Sequence, residues 1–347
     1  MKALRDLKPG IKGPAAARSK PVSLSRESLV RAARLFPERR LPLLITPSAP
    51  GIDLIDWAAA SREYLTACLA EHGGILFRDF SVRTTAEFER FIAAVSGETL
   101  EYNERTSPRS RVLSNIYTST DYPPGQHIFV HNENSYKRSF NLKIFFFCET
   151  PAAQGGETPV ADCRNVYKRI SAGVRERFGE KGWMYVRNYG DGFGLDWPTA
   201  FQTDDKCAVE EHCRRNDIEA RWSGGDHLRT HAVLPAVIKH PRTGEPVWFN
   251  HATFFHVSTL ESSIRDGLLG GFENESELPI NSYYGDGSAI EPETLEELRE
   301  AYRQETVSFP WRQGDVLMLD NILVAHGRKP YEGERRIQVG MTELFAR

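Results

Sequence analysis

The sequence predicts a mainly β fold with flanking helices, arranged as an antiparallel jelly roll or barrel. From about residue 110 onward the chain consists of short β-like runs with turn signals between several of them. Upstream of that point the pattern is largely helical. The longest apolar run, Ile144 to Cys148, has the length of a buried strand. Many short strands with helices outside them are typical of jelly rolls and barrels.

Two helices and a short strand are expected in the N-terminal part. Residues 59–72 place apolar side chains at helical spacing, end at Gly73 and lead into a buried strand at 75–77. A second helix begins after Thr84, because Glu87 follows three residues later in the pattern of a capping box. Its apolar stripe is typical of core packing rather than of a cofactor site.

The β region follows, with turn signals such as Gly155-Gly156 between its strands. The predicted strands are 128–133, 142–148, 232–239, 246–250, 315–319, 322–326 and 336–344.

Residues 163–230 have the character of an insertion into this β region. They contain a predicted helix at 164–178, a loop rich in glycine and aromatic residues at 188–198, and a charged helix near 207–216. Long loops inside compact domains are usually functional or disordered. The aromatic residues favour an ordered lid, with a plain structural loop as an equal alternative.

The chain ends and the composition limit the protein class. Residues 1–24 carry six lysines and arginines and one acidic residue, which favours a mobile basic tail over a tail that docks to a partner. Residues 25–347 are expected to form one domain.

The net charge of the whole chain is −3, which predicts neither nucleic-acid nor membrane partners. No signal peptide or apolar run of about 20 residues is visible. Five cysteines without a Cys-x-x-Cys motif predict reduced thiols and a cytoplasmic protein.

A metal site is indicated by His131 and Glu133 together with the distant His326. Side chains at i and i+2 of a strand share a face, so the first two could hold one ion. His326 would complete a 2-His-1-carboxylate set, which leaves one face of a ferrous ion open for substrate and dioxygen. Each histidine also has the alternative of being an ordinary core residue. The other histidines considered, His72, His127, His212, His227, His231, His240 and His251, are expected to be structural.

An arginine near the C-terminus suggests a bound carboxylate. The last strand alternates Arg336, Gln338 and Gly340 with aliphatic residues, so one of its faces is polar. A polar inner face that begins with arginine is expected in a barrel that encloses a carboxylate ligand, because guanidinium binds carboxylate bidentately. The alternative is an arginine in a surface ion pair.

These motifs, with Gly155-Gly156-Glu157-Thr158, resemble those of the iron(II)/2-oxoglutarate-dependent oxygenases of the taurine dioxygenase/clavaminate synthase-like superfamily. The resemblance implies a double-stranded β-helix, with His131, Glu133 and His326 as iron ligands. It also implies that Thr158 and Arg336 bind 2-oxoglutarate, with Arg335 pointing away. Iron(II), 2-oxoglutarate and dioxygen would then be the cofactor and cosubstrates, and the expected reaction is hydroxylation of an unactivated C–H bond.

A finer resemblance is to the syringomycin-type hydroxylases, whose substrates are amino acids, free or tethered to a carrier protein. It is carried by residues 117–124, 131–136 and 248–250. Accordingly Tyr117, Asn134, Tyr136, Asn250 and the 188–198 loop are expected to form the substrate pocket. The oligomeric state is left open.

Two differences from related enzymes limit the expected substrate and the expected reaction. Gly340 stands where taurine dioxygenase has its sulfonate-binding arginine, so a taurine-like substrate is not expected. Glu133 stands where halogenating relatives have a small residue, so hydroxylation is expected rather than halogenation.

Other activities remain open at this point. Desaturation, epoxidation and cyclisation could use the same iron site. A metallohydrolase would be a different class and would not need Thr158 and Arg336. A noncatalytic jelly-roll binding protein would be another, and the presence of all the ligand and cosubstrate residues argues against it.

Overall fold

The computed structural model describes residues 26–101, 110–119, 122–190, 192 and 194–347. The predicted basic tail at 1–24 lies outside the described residues.

The described residues form twenty strands, ten α-helices and three short 3-10 turns. The strands are β1 (Val30–Arg34), β2 (Leu43–Pro47), β3 (Gly74–Phe77), β4 (Arg111–Leu113), β5 (Ile116–Thr118), β6 (Ile128–His131), β7 (Ser139–Thr150), β8 (Gln154–Gly155), β9 (Val160–Asp162), β10 (Trp183–Tyr189), β11 (Glu219–Ser223), β12 (His227–Leu234), β13 (Val237–Lys239), β14 (Pro246–Trp248), β15 (Ile280–Tyr284), β16 (Thr306–Val307), β17 (Val316–Asp320), β18 (Val324–Arg328), β19 (Tyr331–Glu332) and β20 (Arg336–Ala346). The helices are α1 (Leu54–Ala60), α2 (Arg62–His72), α3 (Thr85–Ser96), α4 (Cys163–Arg169), α5 (Ala172–Lys181), α6 (Trp197–Phe201), α7 (Lys206–Arg215), α8 (Ala252–Phe255), α9 (Ser262–Gly271) and α10 (Pro292–Glu305).

Three sheets organise the molecule around the site. The largest has eight strands in the order β1-β2-β3-β17-β7-β20-β5-β4, and a second has the order β16-β9-β18-β6. A third sheet, β11-β12-β10-β15, contains the strands of the predicted insertion and is completed by β15 from further along the chain. The expectation of a mainly β fold with flanking helices is confirmed.

The long strand β7 explains how the large sheet is buried on both faces. Phe145 and Phe147 pack with Phe88 and Phe91 of α3, whereas Ile144 and Phe146 belong to the core on the opposite face. Successive side chains of a strand point to opposite faces, so a continuous apolar run is typical of a strand covered on both sides. Phe146 thereby reaches the functional cavity described below.

The capping box of α3 is confirmed. The Thr84 hydroxyl accepts from the Glu87 amide at 3.2 Å, and a Glu87 carboxylate oxygen accepts from the Thr84 amide at 3.0 Å. Two other predicted helices are each split. The range 59–72 contains the end of α1 and the whole of α2, with Ser61 between them.

The predicted helix at 164–178 is divided into α4 and α5. Ile170 and Ser171 both have extended backbone conformations between the two helices. The Ser171 amide donates to the Glu297 carboxylate at 2.6 Å instead of to a helical carbonyl. This tertiary contact with α10 is not visible in the local sequence pattern.

A buried ion pair ties the N-terminal part of the chain to the large sheet. Arg78, just after β3, places its Nη2 2.6 Å from Oδ2 of Asp315, which precedes β17. Both side chains are almost fully buried, so removal of either partner would leave a buried charge. Within the described residues, no helix combines the length and the apolar character that a membrane span requires.

Candidate active site

The three predicted metal ligands lie together. His131 ends β6, and its register partner across the sheet is His326 of β18. Glu133 follows β6 in the next turn, with its Oε2 3.8 Å from Nε2 of His326. One candidate ligand atom from each residue lies within 4.8 Å of the other two. Antiparallel pairing of β6 with β18 therefore brings together residues almost two hundred positions apart in the chain.

Neighbouring groups orient these ligands. Nδ1 of His131 lies 2.9 Å from the Phe129 carbonyl oxygen, which can only accept, so Nδ1 carries the proton and Nε2 keeps its lone pair. The Asn321 side chain holds the turn at Glu133, because its Oδ1 accepts from the Glu133 amide and its Nδ2 donates to the Glu133 carbonyl, both at 2.8 Å. Sequence reasoning placed Asn321 only in a polar turn.

Two imidazole nitrogens and one carboxylate oxygen fit iron(II). This donor set suits borderline-hard divalent metals, and three ligands from one side leave further coordination positions for a cosubstrate and dioxygen. The fit rests on the donor atoms and on their mutual distances, which are short enough for one ion to reach all three.

The ligands open into a cavity of about 270 Å³. Its walls are largely apolar, with Phe129 and Phe146 near the ligands and Phe254 and Phe255 from α8. Thr158, for which the resemblance implies a role in 2-oxoglutarate binding, also lines the cavity and is buried. Its hydroxyl accepts from Nε1 of Trp311 at 3.2 Å. A largely apolar wall of this kind suits a reaction on a C–H bond.

Of the two adjacent arginines, Arg335 faces this cavity and Arg336 does not. Arg335 lines the cavity, whereas the Arg336 side chain is 61% exposed and forms an ion pair with Glu334 at 2.8 Å. Nε of Arg335 donates to the Gly156 carbonyl at 2.8 Å, and Nη1 donates to the Ser119 hydroxyl at 3.1 Å. The prediction that Arg336 points into the site and Arg335 away from it is wrong.

The faces of β20 explain this reversal. Ile337 and Val339 belong to the same core as Phe146, whereas Gln338 lies opposite Phe147 on the face that α3 covers. Strand alternation groups Arg335 with Ile337 and Arg336 with Gln338, so the second arginine points away from the cavity. Gly156 permits the approach of Arg335, because its φ is +72° and a Cβ there would lie 2.9 Å from Cδ of Arg335.

The polar face of β20 also packs elsewhere than expected. Gln338 donates to the Thr85 hydroxyl at the start of α3 and to the Glu149 carboxylate, both at 2.9 Å. A Cβ on Gly340 would lie 2.6 Å from Cδ1 of Ile92, so the glycine lets α3 approach the sheet. The polar face of β20 is therefore the helix-covered face, not an inner face around a ligand.

The two tyrosines predicted to contact substrate do not line the cavity. Tyr117 is fully buried in β5, where Val339 is its register partner. Tyr136 is buried behind the cavity wall, and its ring packs against those of His251 and Phe255. The prediction of direct substrate contact is wrong for both, although Tyr136 supports two residues that do line the cavity.

The two predicted asparagines have structural partners instead. Asn134 adopts a left-handed conformation with φ of +58°, and its Nδ2 donates to Oδ1 of Asn141 at 3.2 Å. Asn250 donates to the Ala236 carbonyl and accepts from the Ala252 amide at the start of α8, both at 2.9 Å. Neither lines the cavity, and both predictions are corrected because these turn and capping roles orient the side chains away from it.

Part of the 188–198 range lines the cavity. Asn188, Tyr189, Gly194 and Leu195 line one side of it. Sequence reasoning missed His251, whose Nδ1 is hydrogen-bonded to the Ser135 hydroxyl. Burial and the nearby His131 lower the pKa of His251 well below its usual value. No signal in the local sequence distinguishes this histidine from a structural one.

Arg328 was also missed as a lining residue. Its guanidinium donates to the carbonyls of Tyr122, Pro123 and Gln126 at 2.9, 2.5 and 3.0 Å, and so holds the 122–126 loop against β18. Burial lowers the pKa of Arg328, and burial together with Arg328 lowers the pKa of Arg335 to about 10. Both arginines remain cationic at neutral pH.

Comparison with known proteins assigns the chain to a family that agrees with its candidate metal site. The model of the family described as taurine catabolism dioxygenase TauD, TfdA family, matches residues 38–342. The chain belongs to this family. It is accordingly an iron(II)- and 2-oxoglutarate-dependent dioxygenase, as the motif resemblance implied.

Individual relatives extend over most of the chain. It is 39% identical over 283 residues to the dapdiamide synthesis protein DdaC of Enterobacter agglomerans, covering 82% of this chain and 86% of that protein. It is 27% identical over 330 residues to a clavaminate synthase-like protein of Arabidopsis thaliana, covering 90% and 96%. The crystal structure of PvcB from Pseudomonas aeruginosa superposes with a TM-score of 0.55 at 16% identity, covering 94% of this chain and 95% of that one.

Proposed function

We propose that this enzyme hydroxylates an unactivated C–H bond of an amino acid or an amino-acid derivative in the biosynthesis of a secondary metabolite. The substrate is free or is presented on a carrier protein. The observation that carries the proposal is that His131, Glu133 and His326 meet in one cavity with Thr158 and Arg335. A relative named for dapdiamide synthesis and a similar fold described from an isonitrile synthetic pathway support a biosynthetic role.

The metal end of the cavity would hold iron(II) through Nε2 of both histidines and a carboxylate oxygen of Glu133. Together, iron(II) and 2-oxoglutarate supply the chemistry that activates dioxygen and oxidises the C–H bond. The bond from Nδ1 of His131 to the Phe129 carbonyl and the Asn321 clamp on Glu133 keep the donor atoms turned inward. Orienting partners of this kind typically change metal affinity by about 10- to 100-fold.

Arg335 and Thr158 would bind the distal carboxylate of 2-oxoglutarate. The nearby Arg328 makes this part of the cavity more positive, and burial removes the water that would otherwise screen the two guanidiniums. An incoming carboxylate relieves that repulsion. The bonds from Arg335 to Gly156 and Ser119 hold the guanidinium in place before the cosubstrate arrives.

The aromatic and aliphatic walls would position the substrate and exclude water. Phe254 and Phe255 form one side near His131, and Leu195 of the 188–198 loop lies on another. Apolar walls would hold the target carbon by packing against it. Accurate placement of that carbon is what selects one C–H bond among several.

The fold supports a finer description as well. We propose that the eight-stranded sheet and the β16-β9-β18-β6 sheet form the double-stranded β-helix of this enzyme class. Residues 25–347 then form one domain, because β1 to β3 from the start of the chain join the same sheet as β17 and β20 from its end.

Anaerobic titration tests the iron and cosubstrate roles. Addition of 2-oxoglutarate to the enzyme with iron(II) is expected to produce the weak visible charge-transfer band of the iron chelate. Variants His131→Ala and Glu133→Ala should lose this band while keeping their circular dichroism spectrum. A wild-type enzyme that gave no band would refute the proposal.

A substrate panel then tests the reaction. Free and carrier-bound amino acids are incubated with dioxygen, and products are identified by mass spectrometry. Gain of one oxygen atom, with a matching amount of succinate, is the expected result. A product that has lost two hydrogens without gaining oxygen would indicate desaturation or cyclisation instead of hydroxylation.

A further inference from the structure

The turn between β17 and β18 is connected to the metal ligands in two ways. Asn321 in this turn clamps the backbone of Glu133, and β18 leads from the turn to His326. Asn132, which lies between His131 and Glu133 in the chain, returns a bond, because its Nδ2 donates to the Asn321 carbonyl at 2.7 Å. A group that fixes this turn therefore acts on ligands from both strands.

Asp320, the last residue of β17, shapes the turn. Its Oδ1 accepts from the amides of Ile322 and Leu323 at 3.0 and 3.1 Å. An aspartate that bonds to amides shortly after it in the chain is typical of a tight turn. The direction of the Asp320 carboxylate therefore fixes the backbone that carries Asn321.

The other oxygen of this carboxylate is bound by His240, which comes from a distant hairpin. His240 lies in the connection between β13 and β14, and its Nε2 is 3.0 Å from Oδ2 of Asp320. The two side chains are 3% and 13% exposed, and the residues are 80 positions apart in the chain. The pair thus links a separate two-stranded sheet to the turn behind the metal ligands.

The hydrogen bonds of His240 determine which of its nitrogens carries the proton. The Thr243 amide donates to Nδ1 at 3.0 Å, so Nδ1 keeps its lone pair. Nε2 then carries the hydrogen and donates to Asp320. Each nitrogen has its own role, because Nδ1 closes the hairpin of His240 and Nε2 holds the carboxylate.

We propose that His240 is a positioning residue for the iron site, acting through Asp320 and the turn that carries Asn321. This inference rests on the proposed function, because it concerns the ligands assigned there to iron(II). A carboxylate that loses a hydrogen-bond donor inside the protein loses stabilisation. Without the imidazole, the carboxylate of Asp320 would turn towards water, and the turn behind Glu133 would lose its fixed shape.

Two conservative variants separate the roles of the two nitrogens. In His240→Gln an amide nitrogen takes the place of Nε2 and can still donate to Asp320, but the acceptor for Thr243 is lost. In His240→Asn an amide oxygen takes the place of Nδ1 and can still accept from Thr243, but the shorter side chain does not reach Asp320.

The two variants are expected to differ in metal affinity. His240→Asn should weaken iron(II) binding by about tenfold, the lower end of the range for orienting partners of metal ligands. His240→Gln should stay within about threefold of wild type, because the charge-assisted bond to Asp320 is kept. Iron(II) affinity is measured by anaerobic calorimetry on the full chain.

Cobalt(II) provides a spectroscopic readout that does not depend on turnover. It is titrated alone into the metal-free enzyme, since its visible absorption bands report the arrangement of ligands around the ion. His240→Asn should alter these bands, and His240→Gln should keep the bands of wild type.

Two further variants serve as controls. Phe91→Leu reduces packing against Phe77 and Phe145 on the helix-covered face of the large sheet. It should lower the unfolding temperature and leave the iron(II) affinity and the cobalt(II) bands unchanged. Arg242→Met changes an exposed side chain of the same hairpin and should behave as wild type.

Three outcomes would overturn the inference. The first is wild-type iron(II) affinity in His240→Asn. The second is a larger loss in His240→Gln than in His240→Asn, because the imidazole would then act only through its own hairpin. The third is an equal loss in both variants that Phe91→Leu reproduces at a matched unfolding temperature. A normal chelate band in the wild type would leave the iron assignment intact in each case, whereas a missing band would count against the proposed function itself.

Discussion

Replacement of Arg335 by methionine is expected to weaken 2-oxoglutarate binding far more than the same replacement of its neighbour Arg336. Arg335 lines the cavity beside Thr158 and is held by hydrogen bonds to Gly156 and Ser119. Its pKa is lowered to about 10 by burial and by Arg328, which still leaves it charged at neutral pH. Methionine keeps much of the side-chain volume and removes the charge and all donors.

The magnitude follows from the charged hydrogen bonds to the cosubstrate that methionine cannot form. Hydrogen bonds between charged partners contribute about 1.5–3 kcal/mol, so the dissociation constant of 2-oxoglutarate should rise by about 10- to 100-fold. Arg336→Met removes an ion pair with Glu334 on a side chain that is 61% exposed. Solvent-exposed pairs of this kind contribute about 0–1 kcal/mol to stability. Because Arg336 does not line the cavity either, the dissociation constant of 2-oxoglutarate for Arg336→Met should stay within about fivefold of the wild-type value.

The assay is anaerobic titration of each iron(II)-loaded variant with 2-oxoglutarate, followed by the chelate band or by calorimetry. Iron affinity and thermal unfolding are measured separately, because Arg335→Met also leaves the Gly156 carbonyl without its donor. A tenfold loss in Arg336→Met with no change in Arg335→Met would show that the strand faces are assigned incorrectly. Equal losses in both variants would also contradict the reasoning.

Three further outcomes are expected. Glu133→Gln should lower iron(II) affinity by at least about tenfold in calorimetric titration, because the charged oxygen is lost, while the far-ultraviolet circular dichroism stays that of wild type. Asn134→Ala should reduce the free energy of unfolding in urea by about 1 kcal/mol, because φ is +58° there, and should leave KM for the substrate unchanged. Asn134→Gly should not destabilise the fold, and a raised KM in both variants would restore a substrate role for Asn134. Burial raises the pKa of Cys148 and Cys163 to about 12. A thiol reagent at pH 8 should therefore label the exposed Cys207 first and the two buried thiols only after unfolding, and rapid labelling of either buried thiol would contradict their burial.

Local patterns in the sequence predicted much of the secondary structure. The capping box at Thr84 and the apolar run in β7 depend on residues within one turn or one strand, so the pattern carries the whole signal. The helix at 164–178 was predicted as continuous because its break depends on Glu297, more than a hundred residues away. A contact of this range leaves no local trace.

The candidate metal site could be predicted from the sequence because its chemistry restricts the residue types. Two histidines and a carboxylate are a recognisable set, and their pairing across β6 and β18 confirms that they lie together. The substrate side was predicted poorly. Tyr117, Asn134, Tyr136 and Asn250 were chosen for their closeness to motifs in the chain, yet none of them lines the cavity.

The sequence by itself, through its motifs, determined the enzyme class and predicted a candidate ligand set. Only the tertiary structure decided that Arg335 rather than Arg336 lines the cavity and that β20 turns its polar face to α3. The physical reason is that residue chemistry is read directly from the sequence, whereas tertiary packing decides what each face of a strand covers. Strand alternation groups Arg336 with Gln338, and only the packing of Gln338 against α3 shows that this polar face is turned away from the cavity.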